Sequence, residues 1–259
     1  HLKLISEKNL KDSADILGKE YFTFTHFNES LIKNACENVK NNKINLNINI
    51  FKKQKNFSHE ESINHNILIF LLYENIKKKE VFKQYNKIQE RKKKSEQIKP
   101  SLNINEHTVS QDDLNSLFEF EKIQELFNSL KVKKKHFLEI GSGAGRTTQT
   151  ILSLIEGIKY IVADIPPALN LSFKNISTMF PDKKVSFAFQ ISNQKDLLKA
   201  IEENDVIYIF PHQIDYLPNK YFDISIAIDC LHEMEEKTVE KYILNFERVS
   251  QSLYFKVWE

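Results

Sequence analysis

The sequence predicts an α/β fold in which a mainly helical N-terminal region precedes a largely parallel sheet. After Lys135, six short apolar runs alternate with helical stretches: HFLEIG (136–141), KYIVAD (159–164), VSFAFQ (185–190), DVIYIFP (205–211), FDISIAID (222–229) and LYFKVW (253–258). Runs of this length, rich in β-branched and aromatic residues, suit strands buried on both faces, as parallel strands are. Before Lys135 the chain is rich in Lys and Asn, and its apolar residues recur at helical spacing instead.

Taken in order, residues 1–20 and 27–41 read as short helices, with Leu2, Leu4, Ile5, Leu10, Ile16 and Leu17 loosely on one face. The alternation in NNKINLNINIFKK favours a strand or a polar loop over a helix and leaves those two open. Ser58, followed by Glu60 and Glu61, reads as an N-cap. From it a long helix is expected to run to about Gln97, broken near Lys79. Pro100 and the polar SLNINEHTVSQDD read as a connection. Ser110, followed by Asp112 and Asp113, reads as the cap of a helix over about 111–130, with Leu114, Leu117, Phe118, Ile123, Leu126 and Phe127 inward.

Composition narrows the function classes. With 41% hydrophobic and 28% charged residues, the 259-residue chain lies far from the disordered regime. No apolar run approaches the roughly 20 residues that span a bilayer, so no membrane span is expected. Two cysteines, Cys36 and Cys230, without CxxC or zinc spacing, fit a reducing cytoplasm. The net charge of +2 is unevenly divided: residues 1–135 hold 25 Lys/Arg against 18 Asp/Glu, and residues 136–259 hold 12 against 17. A basic first half suits an anionic partner, although Lys runs are most often solvated faces.

Three of the five glycines fall together in LEIGSGAGRTTQTIL, after a strand and at the start of a helix. Such a turn lets backbone approach a ligand. The dinucleotide fingerprint needs its third glycine one residue later than Gly145, and a phosphate loop needs Gly-Lys-Ser/Thr; both fit poorly. The next strand ends in Asp164, 19 residues after Gly145. Glu139, Gly141, Ser142, Gly143 and Gly145 followed by Asp164 resemble motifs I and II of the class I S-adenosylmethionine-dependent methyltransferases.

That resemblance implies a Rossmann-like class I methyltransferase sheet over 110–259, with residues 1–109 as a helical substrate-binding or lid region. The cofactor would be S-adenosyl-L-methionine, its methionine part along Gly141–Gly145 and Glu139 holding that loop. Asp164, followed by Ile165, would accept from the ribose hydroxyls, because an ionised carboxylate accepts strongly from a vicinal diol. Two runs compete for the family's third strand; the one before LPNKYFD is preferred, which puts His212 and Gln213 on the adenine side. EIGSGAGRTTQTIL, ADIPPALNLSF and IDCLHEM together resemble the sugar O-methyltransferases of bacterial surface-polysaccharide clusters. The family more often has Asn and Ser or Gln where this chain has Asp229 and His232. Its sheet normally ends in an antiparallel hairpin, which is not represented here before Glu259.

Methyl transfer to a hydroxyl requires the oxygen to be aligned and its proton removed. His232 is the first candidate base, since neutral imidazole is available near pH 7. Glu233 is the second, or pairs with an N-terminal Lys. Asp229, at the tip of the family's fourth strand, would orient His232 or touch the cofactor. HEMEE lacks the second His of a metalloprotease helix, and Cys230 reads as a small packing residue. Some sugar methyltransferases use magnesium, for which Asp229, His232 and Glu233 would be the set; no metal is expected. The acceptor expected is a sugar or another small molecule, with a phosphate or nucleotide suiting the basic half. Nucleic acid is not expected, and self-association stays open. The rival readings are a nucleic-acid methyltransferase and a catalytically silent cofactor-binding scaffold.

Overall fold

The computed structural model describes residues 68–70, 72–92, 101–104, 106–131 and 133–257. The helices expected in 1–41, the undecided stretch after it and the cap at Ser58 lie outside the described residues.

The first described residues are helical over 68–70 and 72–76. After a turn at 77–79 comes a 3₁₀ segment, Glu80–Gln84, and then α1, Tyr85–Lys92. The break expected near Lys79 is therefore present. The stretch read as a connection is instead a hairpin of β1 (Ser101–Ile104) and β2 (His107–Ser110), paired antiparallel. Leu102, Ile104 and Val109 are buried, and three apolar residues suffice for so short a hairpin because helices cover it. The Tyr85 hydroxyl lies 2.9 Å from both Thr108 O and Asp113 Oδ2 and ties α1 to the hairpin and to the next helix.

Helix α2 spans Gln111–Ser129, and Ser110 caps it by accepting from Asp113 N at 3.2 Å. The remaining elements follow in chain order: β3 (His136–Ile140), α3 (Arg146–Leu154), β4 (Lys159–Ala163), α4 (Pro166–Met179), β5 (Val185–Phe187), α5 (Gln194–Glu203), β6 (Val206–Ile209), β7 (Phe222–Ile228), α6 (Glu236–Val249) and β8 (Ser250–Lys256). β5 to β8 include both candidates for a third strand: β6 lies beside β4, and β5 is the edge beyond it.

The six strands form one sheet in the order β5-β6-β4-β3-β7-β8, parallel at every pairing. This is a Rossmann-like arrangement. Its strands alternate between two cores because successive strand side chains point to opposite faces. Phe137, Tyr160, Val162, Tyr208, Ile224 and Ile226 meet α2, α3, α4 and the described N-terminal segment. Leu138, Ile140, Ile161, Ile207 and Ala227 meet α5 and α6 on the other side. The N-terminal segment is thus built into the first core: Ile69, Tyr73, Ile76, Tyr85 and Ile88 are all buried there, and α1 and α2 both pack against α3.

The chain moves outward from β3 to β4 and on to the edge strand β5, steps back to β6 between those two, then crosses to lay β7 on the other side of β3. In an open parallel sheet, such a reversal opens a crevice at the carboxyl ends of the strands, the usual ligand position. Here the crevice is flanked by the ends of β3 and β7.

Candidate active site

Gly141, Gly143 and Gly145 all have positive φ (75°, 52° and 84°), the left-handed backbone that glycine adopts at least cost. Gly141 has a second reason to lack a side chain: a Cβ there would stand 2.5 Å from Cys230 Cβ. The tips of β3 and β7 therefore touch, and the Cys230 thiol donates to Ile140 O at 3.3 Å. At Gly145 a Cβ would stand 2.7 Å from Ser172 Oγ, which fixes the turn against α4. Asn175 of α4 completes that support by donating to Ala144 O at 2.9 Å.

Asp164 reaches from the end of β4 to this turn. Its Oδ2 accepts from Gly143 N at 3.0 Å and lies 3.4 Å from Ser142 Oγ; its Oδ1 accepts from Ile165 N at 2.7 Å. Burial pushes its carboxyl up to about 6 despite these donors. Ile165 is 61% exposed and occupies the N-cap position of α4.

Glu139 faces the first core, not the crevice surface. Its Oε2 accepts from Thr148 Oγ1 at 2.5 Å and from Tyr160 Oη at 2.9 Å. Burial raises its carboxyl to about 7. The geometry makes Glu139 the floor of the turn, joining β3, β4 and α3.

At the end of β7, Asp229 takes a φ of 54°, and its N–H donates to Lys256 O at 2.9 Å. Its Oδ2 lies 3.1 Å from Lys256 Nζ and 3.7 Å from the Arg146 guanidinium. Its Oδ1 is buried and has no hydrogen-bond partner among the described residues. The expected contact from Asp229 to His232 is replaced by these two cations. His232 and Glu233 sit on an exposed one-turn 3₁₀ segment, Leu231–Glu233, and no ion pair joins Glu233 to an N-terminal Lys among the described residues. The reason is local: Leu231 turns into the second core and leaves its two polar neighbours in solvent.

The His212 ring is exposed and stacks on Phe210 at 5.8 Å, ending a ladder through Phe189, Phe187 and Phe173. Gln213 differs from its expected place. It is fully buried; its Oε1 accepts from Phe210 N at 2.8 Å, while its Nε2 donates to Ala188 O and Ile191 O at 2.6 and 2.8 Å. With both ends of its amide engaged, Gln213 shapes the loop and has no free polar atom for a ligand.

Glu119, Lys256 and Asn175 carry no local pattern that would place them at this site. Arg146 did leave a signal. A cation in the first turn of a helix opposes the helix dipole, so a buried Arg there calls for an anion, and Glu119 supplies it.

Asp164 and Asp229 thus flank the glycine turn, with Glu139 beneath it, and Asp229 Oδ1 is a buried acceptor without a donor among the described residues. The set fits a ligand that is rich in hydrogen-bond donors and cationic. S-adenosylmethionine has both properties, with an ammonium, a sulfonium and a ribose diol. Among the described residues no three His, Cys, Asp or Glu side chains converge to hold a metal ion, and no helix is long and apolar enough to cross a membrane.

No family model matches the chain, and no curated protein matches it. Among solved structures it is similar to PigF with SAH, at 17% identity and a TM-score of 0.31, over 54% of this chain and 38% of that one. It is also similar to a crystal structure of a mutant of MtNAS, at 14% identity and a TM-score of 0.31, over 92% and 77%. The chain therefore spans well under half the length of the PigF chain. Overlaps this loose carry neither fold nor activity from those proteins to this one.

Proposed function

We propose that the chain is a class I S-adenosylmethionine-dependent O-methyltransferase working in the cytoplasm on a sugar or sugar-linked group of bacterial capsule or lipopolysaccharide. The observation that carries the cofactor is the glycine turn ringed by carboxylates at the sheet's reversal point. Asp164 would receive the ribose hydroxyls: an ionised carboxylate accepts at about four sites, two are taken by Gly143 N and Ile165 N, and the long Ser142 contact at 3.4 Å would give way to the diol. Glu139 supports the turn from below. Asp229 offers its unpartnered oxygen to the amino-acid end, and exposed Ile165 with the Phe210–His212 stack suits the adenine side.

When bound, the cofactor supplies an activated methyl group. The chain must then bring an acceptor oxygen into line and remove its proton, and a placed base contributes about 10²–10⁴-fold. His232 is the first candidate base and Glu233 the second. Their exposure fits a role completed only when an acceptor covers them, since apo geometry often tightens on binding. The sugar acceptor rests on the resemblance of GSGAGR, ADIPP and IDCLHEM to the surface-polysaccharide enzymes; a phosphate or nucleotide on it suits the basic first half.

Incubation with methyl-labelled S-adenosylmethionine and a bacterial glycan extract, followed by mapping of the labelled position, tests the reading. Label on a sugar oxygen, lost by about 10²-fold or more in His232→Ala, is expected. Label on nucleic acid instead, or cofactor binding with no transfer to any fraction, would replace it with one of the two rival readings.

A further inference from the structure

Four charged side chains from four elements meet beside the crevice. Glu119 of α2 receives Arg146 in a forked pair, Nη1 to Oε2 at 2.6 Å and Nη2 to Oε1 at 3.3 Å, and the Ser116 hydroxyl lies 3.0 Å from Nη1. Lys256, at the end of β8, bridges Glu119 Oε1 at 3.0 Å and Asp229 Oδ2 at 3.1 Å. Glu119 and Arg146 are buried, with side chains 5% and 8% exposed, so neither charge can be left unmatched without a large cost.

The arrangement is asymmetric at Asp229. Both cations approach Oδ2, while Oδ1 is buried with no donor among the described residues. Lys256 also accepts the Asp229 N–H on its carbonyl, so the same residue holds the backbone and the side chain of Asp229. Asp229 sits at a φ of 54°, a region that Asp enters more readily than most residues. A buried carboxylate oxygen lacking a donor is costly, and a charged donor offsets that cost better than a neutral one.

We propose that Lys256 and Arg146, braced by Glu119, are positioning residues that hold one oxygen of Asp229 so that the other meets the ammonium group of the bound ligand's amino-acid end. The inference rests on the S-adenosylmethionine reading and goes beyond it by assigning α2 and β8 a part in cofactor selection. Glu119 draws on both cations, forked onto Arg146 and bridged by Lys256, so that neither is given over to Asp229 alone.

Isothermal calorimetry separates this role from a general clasp. S-adenosylhomocysteine carries the amino-acid end, whereas 5′-methylthioadenosine keeps the adenosine and lacks it. Lys256→Met is expected to weaken S-adenosylhomocysteine by about 10–100-fold, the worth of one charged hydrogen bond, and to leave 5′-methylthioadenosine within about twofold. Lys256→Arg should restore most of the loss. Should Lys256→Met not fold, Lys256→Gln is expected to show the same selectivity. Equal weakening of both ligands, or no weakening of S-adenosylhomocysteine, overturns the inference. A wild-type chain that binds neither ligand overturns the cofactor reading instead.

Discussion

The ends of β3 and β7 lie side by side, yet they are built differently. The β3 end is a closed cradle: three left-handed glycines, Asp164 drawn over the turn, Glu139 beneath it and Asn175 behind it. The β7 end begins equally constrained, with Asp229 and Cys230 pinned, and within three residues becomes an exposed turn carrying His232 and Glu233. On the function proposed above, the difference follows the two tasks of a transferase. A cofactor common to every turnover can be met by groups fixed in advance, whereas a proton acceptor must admit a second substrate and is finished by it. Rigid residues are those whose neighbours are charged or backbone; adaptable ones face water.

The largest effect should come from breaking the contact between the two ends. Gly141→Ala adds a Cβ at 2.5 Å from Cys230 Cβ and does so at a φ of 75°. The left-handed penalty and the overpacking together are expected to destabilise the fold by about 2–5 kcal/mol, read by denaturant unfolding. Cys230→Gly in the same chain should recover part of that loss, and failure to do so would show that the ends are not in contact.

The second effect sharpens the cradle's electrostatics. Burial lifts the Glu139 carboxyl from its ordinary 4.5 to about 7, so the folded protein holds a proton that the unfolded chain releases above about 4.5. Stability from this group is complete below about 4.5 and is lost as pH rises through about 7. Glu139→Gln removes the dependence: relative to wild type it should gain up to about 3 kcal/mol by pH 8 and nothing at pH 4. A constant difference across that range would be the contrary result.

The smallest effect belongs to the exposed turn. His232→Ala and Glu233→Ala should each change unfolding free energy by less than about 0.5 kcal/mol, as surface substitutions do. A drop of about 2 kcal/mol in either would mean that the turn is as constrained as the cradle, and the contrast between the two ends would fail.

Much of the cradle was legible because its residues are neighbours in sequence. Gly141 to Gly145 are punctuation at a strand's end, and Asp164 ends the next apolar run, so local pattern sufficed. Ser110 and its helix were readable for the same reason. The braces were not: Lys256 meets Glu119 across 137 positions and Arg146 meets it across 27, and nothing local to either residue names its partner. Gln213 shows a subtler failure. A polar residue after a strand reads as ligand-facing, but the buried carbonyls of Ala188 and Ile191 needed a donor, and a buried acceptor is almost always satisfied from within. The β1–β2 hairpin was read as a connection because its few apolar residues are outnumbered by Asn, Glu and Thr; the helices packed over it supply the burial that its own pattern understates.

Cys230 has one more consequence. Burial, reinforced by the carboxylates of Asp164 and Glu139, pushes its thiol up to about 12, so almost none of it is thiolate at neutral pH. A sulfur that stays protonated reacts slowly with oxidants and alkylating agents. The junction of the two strand ends is therefore chemically quiet, and under the proposed function its sulfur would not compete for the methyl group of an electrophilic donor bound beside it.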